Sequence, residues 1–303
     1  MQIVPFIDGD WKGDHPAGTI VFKHLLKGEP QSPDNFMYIL GRQDGDFFYP
    51  RHRHNFDQIR LPLRGDMNLG HGVKLREGQI GYFPEGLAYG PQEDPLGQAR
   101  PGERLQLVLQ FGGASGYGFV SIEQHRQAKQ EMSRAGRFDG PYYVRDSGKK
   151  EWARNAIWHH LFGTKLKYAH PRYKSVMIAD PACFNWLPLK SQSGVERKYM
   201  GSFTERGVSI EMIRLHPGAS WSSLDPHARR LLVVLSGSGE VEGQLITYLS
   251  ALRVDPGESL QVRSPETLEL FLIGLPPVEK PLTESGHYDL ADDLTGDAVT
   301  QSG

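Results

Sequence analysis

The stretch from Pro50 to Gln92, PRHRHNFDQIRLPLRGDMNLGHGVKLREGQIGYFPEGLAYGPQ, carries the pattern that decides the fold. His52 and His54 stand two residues apart, and Gln58 and Gly65 follow them at the start and end of an apolar, strand-like segment. Side chains at positions i and i+2 of a strand point to the same face. We therefore expect both imidazoles to enter one cavity.

A second set of spaced residues closes the same stretch. Gly78 precedes the turn Pro84-Glu85-Gly86, and Tyr89 stands three residues after that turn. Glycine and proline at these positions are typical of a chain reversal. The turn is expected to bring the next strand back over the histidines and to place Tyr89 opposite them.

Together the two sets resemble the two sequence motifs of the cupin family. The first family motif is a His-x-His pair followed by Glu and Gly, and the second is Gly, Pro-x-Gly and His. This chain departs from the family at two positions, with Gln58 in place of Glu and Tyr89 in place of the last His. The resemblance implies an all-β dominated chain of two cupin barrels, of the double-stranded β-helix or jelly-roll type, joined by a helical linker.

The resemblance also implies a metal site. In that case His52, His54, Gln58 and Tyr89 would hold a divalent transition metal such as Fe, Ni, Mn or Zn, for which imidazole nitrogen is a suitable ligand. Gln58 offers a neutral carbonyl oxygen where the family has a carboxylate, so we expect weaker metal binding. Tyr89 could ligate as a phenolate, leave a position for water, or act as a catalytic acid-base group. The alternative is a vestigial site or a purely organic pocket.

Arg60 shares the inward face with Gln58 by the two-residue period of a strand, whereas Ile59 and Leu61 belong to the opposite, apolar face. An inward guanidinium can clamp a carboxylate or an enolate. We therefore predict that Arg60 and Tyr89 are the catalytic residues, with Arg60 as the anchor for an anionic substrate. A salt bridge at the barrel rim is the alternative for Arg60.

The rest of the chain predicts a duplicated organisation. Strand-like segments recur on both sides of a region in which Ser121 and Gln124 form a capping-box pattern and residues 149–162 have helical periodicity. The expected segments are an N-terminal barrel at 1–120, a helical linker at 121–170, a degenerate C-terminal barrel at 171–276 and a mobile acidic tail at 277–303.

The second barrel is expected to lack metal ligands. Alignment of Gly237 with Gly65 puts Arg230 at the Glu position, and Leu224 and Pro226 fall where the histidines would stand. We therefore predict that this barrel serves packing, subunit contacts or the shaping of the first pocket.

Composition favours a globular protein without a marked electrostatic preference. The formal net charge is −2, and 38% of the residues are hydrophobic. We expect no nucleic-acid or membrane partner, a cytoplasmic location and, by analogy with other cupins, a homodimer. Cys183 is the single cysteine and is expected to be a buried, structural thiol.

The function that follows from these patterns is that of a metal-dependent cupin enzyme. Its substrate would be a small, oxygen-bearing organic molecule, and its chemistry that of a dioxygenase, decarboxylase, lyase or isomerase. The alternative is a non-catalytic bicupin that binds or senses a small molecule, which the missing Glu and the degenerate second barrel favour.

Overall fold

A computed structural model describes residues 1–13, 19–30, 32, 34–70, 72–97, 99–100, 102–140 and 142–278. The predicted tail at 277–303 lies outside this range apart from its first two residues. The helices within the described residues are too short and too polar to span a bilayer.

The first half of the chain is built from short antiparallel strands. They are β1 (Gln2–Val4), β2 (Ile20–Lys27), β3 (Phe36–Gln43), β4 (Phe47–Tyr49), β5 (His52–Arg53), β6 (Asp57–Arg64), β7 (Met67–Gly70), β8 (Val73–Leu75), β9 (Ile80–Phe83), β10 (Ala88–Tyr89), β11 (Gln92–Asp94) and β12 (Leu105–Phe111).

In the part of the chain that the structure describes, the middle segment has two helices and three strands, whereas the second half is again built from short strands. The middle segment contains α1 (Ile122–Met132), β13 (Gly136–Asp139), β14 (Tyr142–Arg145), β15 (Lys150–Trp152) and α2 (Ala153–Phe162). The second half contains β16 (Met177–Ala179), a 3-10 turn (Pro181–Cys183), β17 (Leu187–Pro188), β18 (Val195–Ser202), β19 (Ser209–Leu215), β20 (Ser220–Leu224), β21 (Arg229–Ser236), β22 (Gly239–Val241), β23 (Gln244–Ile246), β24 (Ala251–Val254), β25 (Ser259–Arg263) and β26 (Leu268–Leu275).

Each half forms a barrel from one large sheet and smaller sheets opposite it. The large sheet of the first barrel has the strand order β16-β9-β6-β12-β3-β2, and that of the second has the order β1-β24-β21-β26-β19-β18-β17. The first barrel is completed by the pairs β5/β10, β4/β11 and β7/β8, and the second by the sheet β20-β25-β22-β23. The prediction of two mostly-β barrels is confirmed.

The two large sheets pack against each other through one shared hydrophobic core. Tyr38 and Leu40 of β3 and Ile59 of β6 belong to this core, together with Val233 and Phe271 of the second barrel. Alternate residues of the same strands face the other way, into the lumen of the first barrel. Side-chain alternation therefore fixes which residues can reach the site.

Two strands cross the predicted domain division. β1 pairs with β24 of the second barrel, and β16 pairs with β9 of the first. Each strand covers an edge that would otherwise expose unpaired backbone groups. The two halves are therefore connected by exchanged strands. The domain boundaries at 120 and 171 stay a prediction.

The lumen of the second barrel is filled by apolar side chains. Val234, Leu252, Val262 and Leu270 lie fully buried in one cluster inside it. Arg230, predicted at the former Glu position, is buried and donates a hydrogen bond to Ser223 Oγ at 2.8 Å. The interior of this barrel is therefore packed, and its role stays a prediction.

The structure corrects two sequence expectations. The helix expected at residues 149–162 begins only at Ala153, because β15 pairs with β14 and the Trp152 ring stacks on Tyr142. Cys183 is exposed rather than buried, because it lies at the end of the 3-10 turn on the surface. The capping box of Ser121 and Gln124 is present at the start of α1.

Candidate active site in the first barrel

The segment that carries the two histidines, β5 and the residue after it, makes hydrogen-bonded contacts with three other parts of the chain. Tyr89 of β10 is the direct partner of His52 in the antiparallel pair. The Gly86 amide donates to the carbonyl oxygen of His54 at 2.7 Å. From α2, Arg154 donates to the carbonyl oxygen of Arg53 at 2.9 Å. The imidazoles are thereby fixed at the mouth of the barrel.

Strand β6 supplies the next two side chains. Gln58 is fully buried and Arg60 is half-buried, and both project into the lumen. Gln110 stands directly across from Gln58 on β12 and donates to Gln58 Oε1 at 3.3 Å. Ile59 and Leu61 point into the core between the barrels, as the two-residue period predicts.

Arg60 links the predicted site residues. Its guanidinium donates to Gln58 Oε1 from Nη2 at 2.9 Å and from Nε at 3.3 Å. The same Nη2 donates to the Tyr89 hydroxyl oxygen at 3.0 Å. Arginine has only donors, so the amide of Gln58 must present its oxygen to Arg60.

The hydrogen bonds also locate the Tyr89 proton. The Tyr89 oxygen accepts from Arg60 and from Gln58 Nε2, the latter at 3.3 Å, and lies 3.2 Å from His54 Nε2. Because two donors already point at this oxygen, we assign its own hydrogen to the bond with His54 Nε2, with that nitrogen as the acceptor. His52 Nδ1 lies 2.9 Å from the Pro50 carbonyl oxygen, which can only accept, so this nitrogen carries hydrogen.

The rings of the site lie in contact with one another. The His52 ring centroid is 4.9 Å from that of His54 and 4.5 Å from that of Tyr89, and Tyr49 meets His52 edge-on at 4.6 Å. The structure thus brings together His52, His54, Gln58, Arg60 and Tyr89, the five side chains singled out from the sequence.

Comparison with solved structures identifies the architecture. The chain is similar to a proposed dioxygenase of Nostoc punctiforme, with 12% identity and a TM-score of 0.54 over 95% of this chain and 81% of that one. It is similar to GK1651 of Geobacillus kaustophilus, with 13% identity and a TM-score of 0.52 over 93% of this chain and 100% of that one.

A third similar structure is oxalate decarboxylase of Bacillus subtilis, a protein with Mn(II) centres. Its identity to this chain is 13% and its TM-score is 0.51, over 91% of this chain and 78% of that one. The chain has the bicupin fold. No protein-family model matches it, and no curated protein matches it significantly.

In their present arrangement, the side chains of the site in the first barrel do not fit a divalent ion held by four protein ligands. Gln58 Oε1 is filled by donors from Arg60 and Gln110, and the Tyr89 oxygen by Arg60. The guanidinium charge would repel a second cation at these oxygens. Within the described residues, no three His, Cys, Asp or Glu side chains lie close enough to hold a metal.

A cavity of about 1310 Å³ opens onto the site. His52, His54 and Arg60 form part of its lining, and the walls continue past Phe56 to Trp158 on α2. The middle segment therefore covers the mouth of the bicupin's first barrel and contributes to its pocket.

Two buried carboxylates lie behind the site. Asp57 accepts from the Tyr82 hydroxyl at 3.0 Å and from the Glu85 amide at 2.7 Å, and Glu85 accepts from the Ser115 amide at 2.9 Å. Arg172 bridges this pair to the second barrel, with Nη1 3.6 Å from Asp57 Oδ2.

The positive charge and hydrogen bonds around Asp57 and Glu85 are too few to stabilise a negative charge on both carboxylates. Burial raises the pKa of Asp57 against the opposing charge of Arg172. Burial, and next the charge of Asp57, raise the pKa of Glu85 to about 7. The turn that carries Gly86 therefore holds a proton in the folded state near neutral pH.

Sequence reasoning missed three contributors to the site. Gln110 could have been found, because it continues the inward face of β12 at the two-residue period. Arg154 and Arg172 left no local signal, because each reaches the barrel from a distant segment.

Replacement of Glu85 by Gln tests the buried proton. The folded state holds this proton more tightly than the unfolded chain does, so the contribution to stability is complete below about pH 4.5 and is lost as the pH rises through about 7. At about pH 8 the variant should exceed wild type in free energy of unfolding by about 1 to 3 kcal/mol, and at about pH 5 the two should be similar.

Urea denaturation at both pH values measures this difference. Glu93→Gln is the control, because the Glu93 side chain is exposed and should leave the pH dependence unchanged. The same pH dependence in Glu85→Gln and wild type would contradict the assignment.

Proposed function

We propose that the first barrel binds a small organic anion on Arg60 and acts on it as a cupin enzyme by acid-base chemistry at Tyr89 and His54. The observation that carries this proposal is the position of the Arg60 guanidinium, which lines the cavity while it donates to Gln58 and Tyr89. Its Nη1 has no hydrogen-bond partner among the described residues and is available to an oxygen of the substrate.

The charge of the site supports an anionic substrate. Arg60 contributes one positive charge, and the amide of Gln58 that faces it is neutral. A divalent ion with a single carboxylate ligand, the family pattern, would have the same net charge. Arg60 can therefore attract and orient a carboxylate or an enolate without a bound metal.

The hydrogen-bonded row from Arg60 through Tyr89 to His54 supports the acid-base role. A proton on Tyr89 can move to His54 Nε2, which lies 3.2 Å away, and Arg60 stabilises negative charge as it develops on the phenol oxygen. Proton removal next to a carbonyl, as in lyase or isomerase chemistry, is the reaction type that such a row serves best.

A second candidate is the metal-dependent form of the same enzyme, which includes the dioxygenase type. It is favoured by the convergence of His52, His54, Gln58 and Tyr89 and by the Mn(II) centres of the similar oxalate decarboxylase. It requires Arg60 to leave both oxygens. Near-stoichiometric Fe, Ni, Mn or Zn that disappears in a His52→Ala, His54→Ala double variant would favour it over the metal-free form.

Arg60→Met tests the anion site. In chelator-treated protein, wild type should bind benzoate, and the variant should bind it about 10- to 100-fold more weakly because a charge-assisted contact with Arg60 Nη1 is lost. Isothermal titration calorimetry measures the affinity, and thermal unfolding checks that the variant folds.

The control for this test is Arg64→Met, which removes an exposed arginine of the same strand that lines the same cavity. It should change the affinity by less than about threefold. Equal losses in the two variants, or loss of benzoate binding in wild type after chelation, would refute the Arg60 anchor.

Tyr89→Phe separates an enzyme from a binding protein. Wild type should accelerate exchange of the methyl protons of pyruvate in deuterated water, and the variant should lose about 100-fold or more of this acceleration because it lacks the hydroxyl. Proton NMR follows the exchange, and calorimetry should show that binding is retained. Binding without acceleration in wild type would favour the non-catalytic bicupin.

A further inference from the structure

The cavity is larger than a small acid requires. Its volume of about 1310 Å³ exceeds the range of about 300 to 1,000 Å³ that is usual for small-molecule pockets. It runs from lumen residues such as Met37 and Val108 to His125 of α1 and Tyr168 after α2. A ligand of the size of benzoate would leave most of this space to water.

The rings of the site continue along the cavity wall at Phe56, which is supported by Phe119 of the buried core. The Phe56 centroid lies 4.6 Å from that of His54, and Phe119 meets Phe56 edge-on at 5.1 Å. The guanidinium of Arg154 lies over Phe56 at 5.9 Å. This wall is suited to the flat, apolar body of an elongated ligand.

The cavity is positively charged although the chain is not. Eight arginine and lysine side chains line it against two carboxylates, Asp66 and Asp94, whereas the whole chain has 34 basic and 36 acidic residues. Asp94 is compensated by Arg104 at 3.7 Å. The excess positive charge favours a ligand with more than one acidic group.

A second group of polar side chains lines the cavity from the two helices of the middle segment. His125, Lys129 and Arg154 line the cavity there, and the charges of Lys129 and Arg154 act on His125. Burial first, and then these two charges, lower the pKa of His125 to about 4, so its imidazole is neutral at physiological pH. The ring has no hydrogen-bond partner among the described residues and can serve a ligand oxygen.

We infer that the ligand of this bicupin is an extended aromatic dianion, with one acidic group on Arg60, its body along the Phe56 wall and its second acidic group beside His125 and Lys129. This inference rests on the proposed anion site at Arg60 and adds the size and the second charge of the substrate. It excludes a two-carbon acid as the preferred ligand.

Calorimetry with matched probes tests the inference. Wild type should bind biphenyl-4,4′-dicarboxylate about 5- to 10-fold more tightly than biphenyl-4-carboxylate, which lacks the second acidic group. Lys129→Met should abolish this difference and, because benzoate has no second acidic group, weaken benzoate binding by less than about threefold, through the loss of one distant cavity charge. Lys150→Met is the control, because Lys150 packs on the Tyr142 ring as Lys129 packs on the Phe138 ring, but Lys150 does not line the cavity.

The outcomes separate the two proposals. Equal affinity of wild type for the two biphenyl acids, or a preference that survives Lys129→Met, would overturn the dianion while Arg60-dependent benzoate binding stood. Failure of benzoate to bind, or benzoate binding that Arg60→Met leaves unchanged, would overturn the anion site itself.

Discussion

The contact of one guanidinium with two oxygens governs the chemistry of this barrel. Arg60 donates to Gln58 Oε1 and to the Tyr89 hydroxyl, and so joins the two positions at which the sequence departs from the cupin motif. An arginine among buried polar groups needs acceptors, and a neutral amide and a phenol provide them without cancelling its charge. The uncancelled charge, close to the imidazoles, is what the site offers to a ligand.

The two barrels have the same architecture but different interiors. Leu and Val side chains fill the lumen of the second barrel, whereas the first keeps a polar lumen and a large cavity. The shared core between the large sheets and the exchanged strands β1 and β16 hold the first barrel against this solid support. A rigid wall of this kind lets Gln58 and Arg60 keep their geometry beside a large cavity.

Local periodicity explains which parts of the site could be predicted. The alternation of a strand places Gln58 and Arg60 on one face, and the turn at Gly86 returns Tyr89 to His52, so these contacts follow from short stretches of sequence. The hydrogen bond between Arg60 and Gln58 could not be predicted, because side-chain rotamers decide whether an inward arginine meets a metal ligand or a substrate.

Long-range contacts explain what could not be predicted. Arg154 and Arg172 reach the barrel from segments about a hundred residues away, and the pairing of β1 with β24 joins the two ends of the chain. The pKa of Glu85 depends on burial and on the charge of Asp57, which only the folded structure brings near it.

A crystal structure of the chelator-treated protein with 4-bromobenzoate tests the role of Arg60 most directly, because the anomalous signal of bromine locates the probe. The account predicts a carboxylate on the Arg60 guanidinium, with the ring directed along Phe56 towards the middle segment and Arg60 still bonded to Gln58 and Tyr89. A metal ion between His52 and His54 with Arg60 turned away, or a probe bound outside the barrel, would contradict it.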